Sequence, residues 1–393
     1  MKLKLSLLIT FFLFYISPSQ ELQLSPQAEV SVLTFSPSTN LNDAFGHNAF
    51  RIKDRNLGLD VVYGYGGYDF EAPNFILKFA QGKLNYLITK KNFSETLQTY
   101  SYYDRTIEQQ KLNLNSAQKQ KLYNYLINNY KPKNRRYLYD FFYDNCATKI
   151  RDVTNIIVNQ SISYTTTSNE ETTFRNLIHE QVGRNTWGSL GIDIALGSLI
   201  DRTITIEEKM FLPKYIYKNF ETAKINNTQP LVSSTNTIYK SRENKSYTSN
   251  VFITSPIVII GLLSAMILSI TYRDYKSHKR TKWLDFIIFG VTGITGVLLL
   301  FLWFGTNHIA TGYNYNLLWA FPLNLLALVQ VYKNSVKNWF RSYLKFTVIM
   351  LCLMTMHWII GVQIFAFALL PLLVALLTRY IYIISFFKKQ QVL

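Results

Sequence analysis

The two halves of the chain differ in how hydrophobic and polar positions are arranged. From Val251 onward, long apolar runs replace the mixed pattern that precedes them. Each run is long enough, or nearly long enough, to cross a bilayer as a helix. The five predicted spans cover residues 251–272, 284–304, 317–331, 346–361 and 364–387. The pattern therefore predicts an all-α membrane domain with five spans over residues 251–393.

Residues 20–221 show the shorter periods of a mixed domain. Alternating and short apolar runs predict strands, and apolar residues at helical spacing predict helices. We expect strands at 30–35, 49–54 and 59–67, a helix followed by a strand within both 74–88 and 94–114, and helices over 116–130 and from Ala147 onward. Ser116 is the expected N-cap of the helix over 116–130. The pattern predicts an α+β domain.

The segments on either side of this domain have their own signatures. In residues 1–19, Lys2 and Lys4 precede a short apolar run and then small residues, which is the arrangement of a secretory signal peptide. We expect cleavage near Ser19, and an uncleaved membrane anchor is the alternative. Residues 222–250 are polar and rich in Asn, Ser and Thr, which predicts a linker to the first span.

The distribution of charge predicts the orientation of the spans. Residues 251–393 hold 12 Lys and Arg residues against two acidic ones. Most of these cations lie in 273–283 and 332–345, whereas 305–316 and 361–363 contain none. Cytoplasmic loops carry an excess of Lys and Arg, so the two cation-rich loops are expected in the cytoplasm. The α+β domain and the two loops without cations are then expected on the opposite side.

Composition excludes three classes for the whole chain. The 393 residues include 41 Lys and Arg against 24 Asp and Glu, but the excess lies in short loops between apolar runs. Such a distribution indicates membrane orientation and no nucleic-acid partner. The two cysteines cannot form a structural disulfide, because Cys146 lies in the exported domain and Cys352 inside an apolar run. A soluble enzyme, a DNA-binding protein and a disulfide scaffold are excluded.

Cys146 is a candidate nucleophile. Asp144 and Asn145 directly precede a predicted helix, where either residue is a good N-cap, so Cys146 falls in the first turn. The positive end of a helix dipole and its free N–H groups lower the pKa of a thiol and can bind an oxyanion. A buried structural thiol is the alternative.

A thiolate nucleophile needs an imidazole to accept and return protons. The exported domain offers His47, which precedes a predicted strand, and His179, which lies in a polar sequence and is expected at the surface. His47 is therefore the candidate base. Asp60 and Tyr63 on the next strand are possible supports for its ring, and strand alternation does not decide between them. No spacing of metal ligands is present, so no metal is expected.

Polar residues also mark the membrane domain. His308, Asn314 and Asn316 lie in the loop 305–316 on the non-cytoplasmic side. Polar groups at this depth either contact neighbouring helices or face lipid headgroups. Both interpretations stay open, and the three residues are possible lipid-facing groups.

Several motifs resemble one family. FGHNAFRI, DVVYGYGGYDF, YDRTIEQQ and FFYDNCATKIRD resemble the exported domain of the Bacteroidota-type lipoprotein N-acyltransferases, and HIATGYNYNLLWAFPLNLL resembles their membrane domain. The exported part is also similar to circularly permuted papain-like enzymes of the NlpC/P60 and lecithin:retinol acyltransferase type. The resemblance implies that Cys146 is the nucleophile and His47 the base, with Asn145 beside the thiol. Asp60 lies where the retinol acyltransferase relatives carry a second histidine, so its role stays open.

The resemblance also implies a reaction and its partners. An acyl chain would move from a membrane phospholipid to Cys146 as a thioester, and then to the α-amine of a diacylglyceryl lipoprotein, without a cofactor. The expected location is the inner membrane, with the catalytic domain on the periplasmic side and the lipid bilayer as a further partner. A membrane-anchored cysteine peptidase or amidase acting on cell-wall peptides is one alternative. A non-catalytic envelope assembly factor is the other.

Overall fold

The computed structural model describes residues 22–165, 171–243, 247 and 252–389. The predicted signal peptide, residues 1–19, lies outside the described residues. The exported part is built on a seven-stranded antiparallel sheet with the strand order β10-β5-β1-β2-β3-β4-β6. Its strands are β1 (Glu29–Phe35), β2 (His47–Asp54), β3 (Leu59–Gly67), β4 (Asn85–Asn92), β5 (Ile107–Leu112), β6 (Arg136–Leu138) and β10 (Val232–Tyr239). A small second sheet contains β7 (Ile162–Ser163), β8 (Lys224–Ile225) and β9 (Gln229–Pro230).

Helices cover both faces of the large sheet. Those of the exported part are α1 (Phe75–Ala80), α2 (Phe93–Tyr102), α3 (Ser116–Tyr130), α4 (Cys146–Ile157), α5 (Phe174–Val182), α6 (Trp187–Ala195), α7 (Ile206–Lys209) and α8 (Pro213–Thr222). One sheet face, which includes Phe50, packs on α3 and α4 in the main core. The other face, which includes Ala49, packs on α2. The predicted α+β class is confirmed, with the N-cap of α3 at Asn115 where we expected Ser116.

The register of three strands defines one end of the sheet. His47, the first residue of β2, lies opposite Phe35, the last residue of β1. Phe35 also lies opposite Ile107, the first residue of β5. The chain segments that enter β2 and β5 therefore meet next to the end of β1. This end of the sheet holds the candidate site.

The predicted linker 222–250 differs from the structure. Its first part forms β8 and β9, and β10 pairs with β5 along the edge of the large sheet. The side chains of β10 are mostly polar and exposed on both faces, so the strand lacks the alternation that would have predicted it. Backbone hydrogen bonds to β5 hold it in place. The segment is thus part of the exported domain at least to Tyr239.

The membrane domain contains four long apolar helices among the described residues. Its helices are α9 (Pro256–Ser277), α10 (Lys282–Phe304), α11 (Asn324–Val331), α12 (Asn338–Ile359) and α13 (Leu370–Lys389). The predicted third span, 317–331, is not a continuous helix: a 3-10 turn at Tyr315–Leu318 is followed by irregular residues and then by α11. Pro322 explains the break, because proline lacks the N–H that a helix requires and disfavours helical backbone before it.

The broken segment lies directly against α10, and two glycines allow that approach. A Cβ at Gly296 would lie 2.2 Å from the carbonyl oxygen of Ala320, and one at Gly293 would lie 2.8 Å from the backbone nitrogen of Leu325. A side chain of the broken segment is also bonded to α10, since the Asn324 amide donates to the Thr292 hydroxyl at 2.7 Å. Irregular backbone is tolerated at membrane depth where protein encloses it in this way.

Contacts between loops agree with the predicted orientation. Arg280, before α10, donates to the carbonyl of Val331, and Lys282 donates to the carbonyl of Tyr332 at 3.0 Å. The two cation-rich loops therefore share one side of the bundle. On the other side, the backbone N–H of Gly197 donates to the carbonyl of Ala310 at 2.9 Å. The exported domain thus rests on the loop 305–316, which has no Lys or Arg.

Candidate active site

The start of α4 is held by a fully engaged N-cap. The side-chain oxygen of Asn145 accepts from the N–H groups of Ala147 and Thr148 at 2.8 and 2.9 Å. Its amide nitrogen donates to the carbonyls of Phe141 and Phe211 at 2.7 and 2.8 Å. A cap satisfies helix N–H groups that would otherwise lack partners. Asn145 therefore fixes the position of the residue that follows it, Cys146.

The Cys146 thiol lies beside the peptide that joins His47 to Asn48. Cys146 is the first residue of α4, is partly exposed and is free. The backbone N–H groups of Asn48, Ala147 and Cys146 itself are close enough to its sulfur to act on the pKa of the thiol, which each of them lowers. The structure therefore brings Cys146 to the start of β2, as the pairing of Cys146 with His47 requires.

The imidazole of His47 is half-buried at the end of the sheet. Its ring stacks on Phe35, with centroids 5.9 Å apart. Gly64 on β3 has no side chain and so leaves room for the imidazole, because a Cβ at this position would lie 3.3 Å from Nε2. The hydrogen bonds of the described residues include none between the imidazole and the Cys146 sulfur. Catalytic hydrogen bonds are often long before substrate binds, so the absence of this bond in the free protein is compatible with a thiol–imidazole pair.

Burial sets the protonation states of both groups. Burial, followed by the nearby charge of Arg105, lowers the pKa of His47 to about 4. Burial raises the pKa of Cys146 to about 11, although three backbone N–H groups and Arg105 act in the opposite direction. The expectation of a lowered thiol pKa is therefore wrong for the free protein, because desolvation outweighs the helix terminus. Near neutral pH the site holds a neutral thiol and a neutral imidazole.

Two of the predicted supporting residues lie elsewhere. Asp60 is opposite Lys53 in the register, six residues along β2 from His47, which is about 20 Å at the rise of a strand. Its carboxylate accepts two hydrogen bonds from the Arg51 guanidinium, both at 2.7 Å. Tyr63 points to the opposite sheet face and lies in the core with Phe50. Neither residue orients the imidazole.

Asp144 stabilises the turn before α4. Its carboxylate forms an ion pair with Lys149 at 2.6 Å, and its backbone exchanges two hydrogen bonds with Asp140. Burial raises the pKa of Asp144, and the hydrogen bond from Lys149 opposes that effect. The residue thus acts on the site through the loop that presents Cys146.

Arg105 is a site residue that the sequence analysis did not identify. Its guanidinium is buried, donates to the Ser36 carbonyl at 2.8 Å and pairs with Asp43 at 3.0 Å. One terminal nitrogen, Nη2, has no hydrogen-bond partner among the described residues. The Arg105 charge is close enough to affect both His47 and Cys146. In the sequence, Arg105 can be recognised only as a residue just before a predicted strand, β5. Its place at the site follows from the pairing of β5 with β1, which the sequence does not reveal.

The predicted lipid-facing residues separate into two groups. Asn314 and Asn316 are buried and do not face lipid: their amides donate to the carbonyls of Ile194 and Asp193, at 2.8 and 2.9 Å. They hold α6 of the exported domain because both amides can satisfy the last carbonyls of that helix. His308 instead lines a cavity of about 320 Å³ at this surface, together with Leu199, Trp303, Thr306, Asn307, Ile309, Gly312 and Tyr313.

His179 is not a surface residue. It is buried, and its Nε2 lies 2.9 Å from a carboxylate oxygen of Asp193. Asp193 also accepts from Arg175, which is fully buried and pairs with Asp201 as well. This ion-pair network joins α6, which carries Asp193, to α5, which carries Arg175 and His179, in the part of the exported domain that rests on the membrane domain. Among the residues with described positions, no cluster of His, Cys, Asp or Glu could hold a metal ion.

Comparison with known families assigns both halves of the chain. Residues 18–180 match a family model described as the Lnb N-terminal periplasmic domain. Residues 247–391 match a family model described as the Lnb transmembrane domain. The two matched ranges occur in the predicted order and cover most of the chain. No curated protein and no solved structure matches it.

Proposed function

The chain belongs to the Lnb family and is a lipoprotein-processing membrane protein with a periplasmic domain, and from this premise we propose that it is a lipoprotein N-acyltransferase. It would move an acyl chain from a phospholipid to the α-amine of a lipid-modified N-terminal cysteine. Cys146 would carry the chain as a thioester, and His47 would transfer the protons. The catalytic unit that we propose is the exported domain, extended to include β10.

One observation carries this proposal. The Cys146 thiol lies at the N-terminus of α4, close enough to the backbone N–H of Asn48, the residue after His47, for that group to lower its pKa. A nucleophile next to a base, with backbone N–H groups around the reacting atom, is the arrangement that acyl transfer requires. The membrane domain adds the location, because both substrates are lipids of the bilayer.

The first step would acylate the thiol. As the Cys146 sulfur attacks the ester carbonyl of the phospholipid, the neutral His47 imidazole takes the thiol proton. The carbon–sulfur bond forms, the ester carbon–oxygen bond breaks, and the imidazolium returns the proton to the leaving alkoxide. The products are a thioester and a lysophospholipid. N–H groups beside the sulfur would stabilise the charge that develops on the carbonyl oxygen.

The second step would release the acyl chain to the lipoprotein. The free α-amine attacks the thioester carbonyl while His47 removes its proton. The carbon–nitrogen bond forms, the carbon–sulfur bond breaks, and the proton returns to sulfur. An α-amine has a pKa near 8, so a useful fraction is unprotonated at neutral pH. Water must be kept out between the two steps, since it would hydrolyse the thioester.

The position of the site supports lipid substrates. Ala44 and Phe45, just before His47, pack in a cluster that also includes Ile200 and Ala310. Ala310 belongs to the loop that follows α10 on the periplasmic side. The end of the sheet that carries His47 therefore faces the membrane domain. This geometry favours a donor that enters from the bilayer over a soluble cell-wall peptide.

Purified full-length protein, phospholipid vesicles and a synthetic diacylated lipopeptide would test the proposal. We expect mass spectrometry to detect an N-acylated lipopeptide and an equal amount of lysophospholipid. Cys146→Ala should abolish both products. Cys352→Ala is the matched control, because Cys352 is the other free cysteine and lies on α12, away from the site.

The outcomes separate the three functions. Cleavage of cell-wall peptides without lipopeptide acylation would support the peptidase or amidase. A normal cellular phenotype of both Cys146→Ala and His47→Ala would support the non-catalytic assembly factor. Acylation that persists in Cys146→Ala would contradict the proposed mechanism.

A further inference from the structure

Residues 68–80, between β3 and β4, expose an unusual amount of apolar surface. Ile76 is 81% exposed and Phe70 71% exposed, and Leu77 and Phe79 are each more than half exposed. The short helix α1 has no buried residue. Contiguous exposed apolar surface marks a site of contact with a partner or a membrane. We call residues 68–80 the aromatic lip.

Two contacts place the aromatic lip at the level where α10 leaves the membrane. The N–H of Asn307 donates to the carbonyl of Gln81 at 2.8 Å, directly after the lip. The His308 Nε2 lies 3.2 Å from the carbonyl oxygen of Phe79. Asn307 is three residues beyond Phe304, the last residue of α10. The lip is thus attached to the periplasmic end of a membrane span.

The exposed surface of the aromatic lip continues that of the span. Phe304 is 73% exposed at the end of α10, and Phe301 and Val297 are exposed one and two turns below it. These residues belong to an apolar helix that is long enough to cross the bilayer. The apolar side chains of the lip therefore lie at the level of the boundary between the acyl chains and the headgroups of the outer leaflet. Lipid is the partner that this continuity favours.

A row of aromatic rings leads from the aromatic lip toward the candidate site. Phe75 lies next to Tyr68 and Tyr68 next to Tyr86, with centroids 6.1 and 5.6 Å apart. Tyr86 stacks on Tyr139 at 4.3 Å. Burial and then the charge of a Cys146 thiolate raise the pKa of Tyr139, so that ring lies near the sulfur. The four rings thus form a series of contacts from the aromatic lip to the neighbourhood of Cys146.

We propose that the aromatic lip inserts into the outer leaflet of the bilayer, with phospholipid acyl chains as its partner. Insertion does not depend on the chemistry at Cys146. Its consequence for catalysis rests on the proposed function: the aromatic row is the side from which a donor acyl chain enters. Six residues of helix cannot span a bilayer, so the lip lies in the interface, as amphipathic helices with aromatic anchors do.

A fluorescent depth measurement tests the insertion. In full-length protein with Cys146→Ser and Cys352→Ser, a single cysteine at Ile76→Cys is labelled with an environment-sensitive dye. The protein is placed in nanodiscs of phosphatidylethanolamine and phosphatidylglycerol, with or without spin-labelled phosphatidylcholine. Leu57→Cys is the negative control, since Leu57 is exposed in the turn at the far end of β2. Val297→Cys on α10 is the positive control.

We expect the dye at position 76 to be quenched several-fold more than the dye at 57 and nearly as strongly as the dye at 297. Equal quenching at 76 and 57 would overturn the proposal and would leave a protein partner as the occupant of the lip. Thioester chemistry is absent in the Cys146→Ser background. The result is therefore independent of whether the proposed function holds.

A second measurement tests the consequence for catalysis. The charge introduced by Ile76→Glu with Leu77→Glu should lower transfer from vesicle phospholipid several-fold, while alkylation of Cys146 by a soluble reagent stays unchanged. Unchanged alkylation shows that the site has kept its fold. Leu57→Glu should change neither rate. Full transfer by the Ile76→Glu and Leu77→Glu variant would overturn the catalytic consequence of the lip.

Discussion

Among individual residues, burial decides how Cys146 and His47 can react. A neutral thiol with a pKa of about 11 and an imidazole with a pKa of about 4 do not form a resting ion pair. In the proposed mechanism, proton transfer then accompanies the attack on the carbonyl, with His47 as general base. A resting thiol reacts little with water-soluble electrophiles, which suits the proposed transfer from a lipid substrate.

The pH dependence of Cys146 alkylation tests these protonation states. A shift of the thiol pKa from 9.0 to about 11 makes the thiolate fraction at neutral pH roughly 100-fold smaller than in a free cysteine. We expect iodoacetamide to react slowly, at a rate that still rises toward alkaline pH. Peptide mass spectrometry measures the rate at Cys146. A rate that is already constant below neutral pH would show a resting thiolate.

Arg105 is expected to support the reaction through its charge. Arg105→Met should slow acylation of Cys146 by roughly 10- to 100-fold, the effect of losing a charge-assisted hydrogen bond. Burial has the largest effect on the pKa of both His47 and Cys146, and the Arg105 charge lowers both pKa values as a smaller, separate effect. Loss of this charge should therefore move the pH midpoints of both groups upward. Arg105→Lys should keep the midpoints. Unchanged midpoints in Arg105→Met, measured from the pH profile of acylation, would assign the residue a structural role only.

The sequence pointed to the two residues that we propose to react, but to only part of their surroundings. Helix-start position and an N-cap are local signals, so Cys146 and Asn145 could be read from neighbouring residues. The expectation that Asp60 could support the His47 ring failed because the distance between them depends on the β2–β3 register, which places Asp60 opposite Lys53. Arg105 was missed for a similar reason, since β5 pairs with β1 across a long separation in sequence.

Among the secondary-structure elements, α4 positions the proposed nucleophile, Cys146, through its cap. Asn145→Ala removes both acceptor bonds of the cap and both amide donors. We expect a loss of about 1 kcal/mol or more in the free energy of unfolding and a fall in acylation, because Cys146 is no longer held at its place. Thermal denaturation and the acylation rate measure the two effects.

Asn115→Ala is the matched control for this prediction. Asn115 caps α3 with the same capping-box geometry, accepting from the N–H of Gln118 at 2.9 Å, but away from the site. It should lower stability by about 1 kcal/mol, less than Asn145→Ala because Asn115 is exposed and its side chain accepts one bond, and it should leave acylation unchanged. Equal loss of acylation in both variants would mean that global stability, not the cap of α4, limits the reaction.

Local periodicity predicted most elements, and two failures have clear physical reasons. β1, β3 and α3 form within a residue or two of their expected positions, because buried faces impose a period on the sequence. β10 is held by its backbone and has no such period. The third span is broken at Pro322. Its length was predicted from hydrophobicity, which carries no information about backbone geometry.

Over the whole molecule, the joint between the two domains determines where the site lies over the membrane. Asn314 and Asn316 bind the end of α6, and the buried Arg175 network lies beneath that helix. The joint combines these buried polar groups with apolar contacts such as those of Ile200 and Ala310. The contact between the two domains therefore depends on matched hydrogen bonds, and we expect it to weaken stepwise as these bonds are removed.

Asn316→Ala tests whether the joint matters for the reaction. It removes the bonds to the Asp193 and Ile194 carbonyls. The Asp193 carbonyl loses its side-chain donor, whereas Asn314 still donates to that of Ile194. We expect transfer from vesicle phospholipid to fall several-fold, since the exported domain no longer sits firmly over the bilayer. Alkylation of Cys146 by a soluble reagent should not change. If the transfer and alkylation rates fell together, the defect would lie in folding.

The acyl-enzyme itself gives the most direct test of the central claim. Full-length protein is incubated with phospholipid vesicles without a lipopeptide acceptor, and the Cys146 peptide is then weighed by mass spectrometry. We predict an added acyl mass on this peptide that hydroxylamine removes, and that is absent from the Cys352 peptide and from His47→Ala. Formation of N-acylated lipopeptide without any acyl mass on Cys146, under conditions that trap the intermediate, would contradict the account.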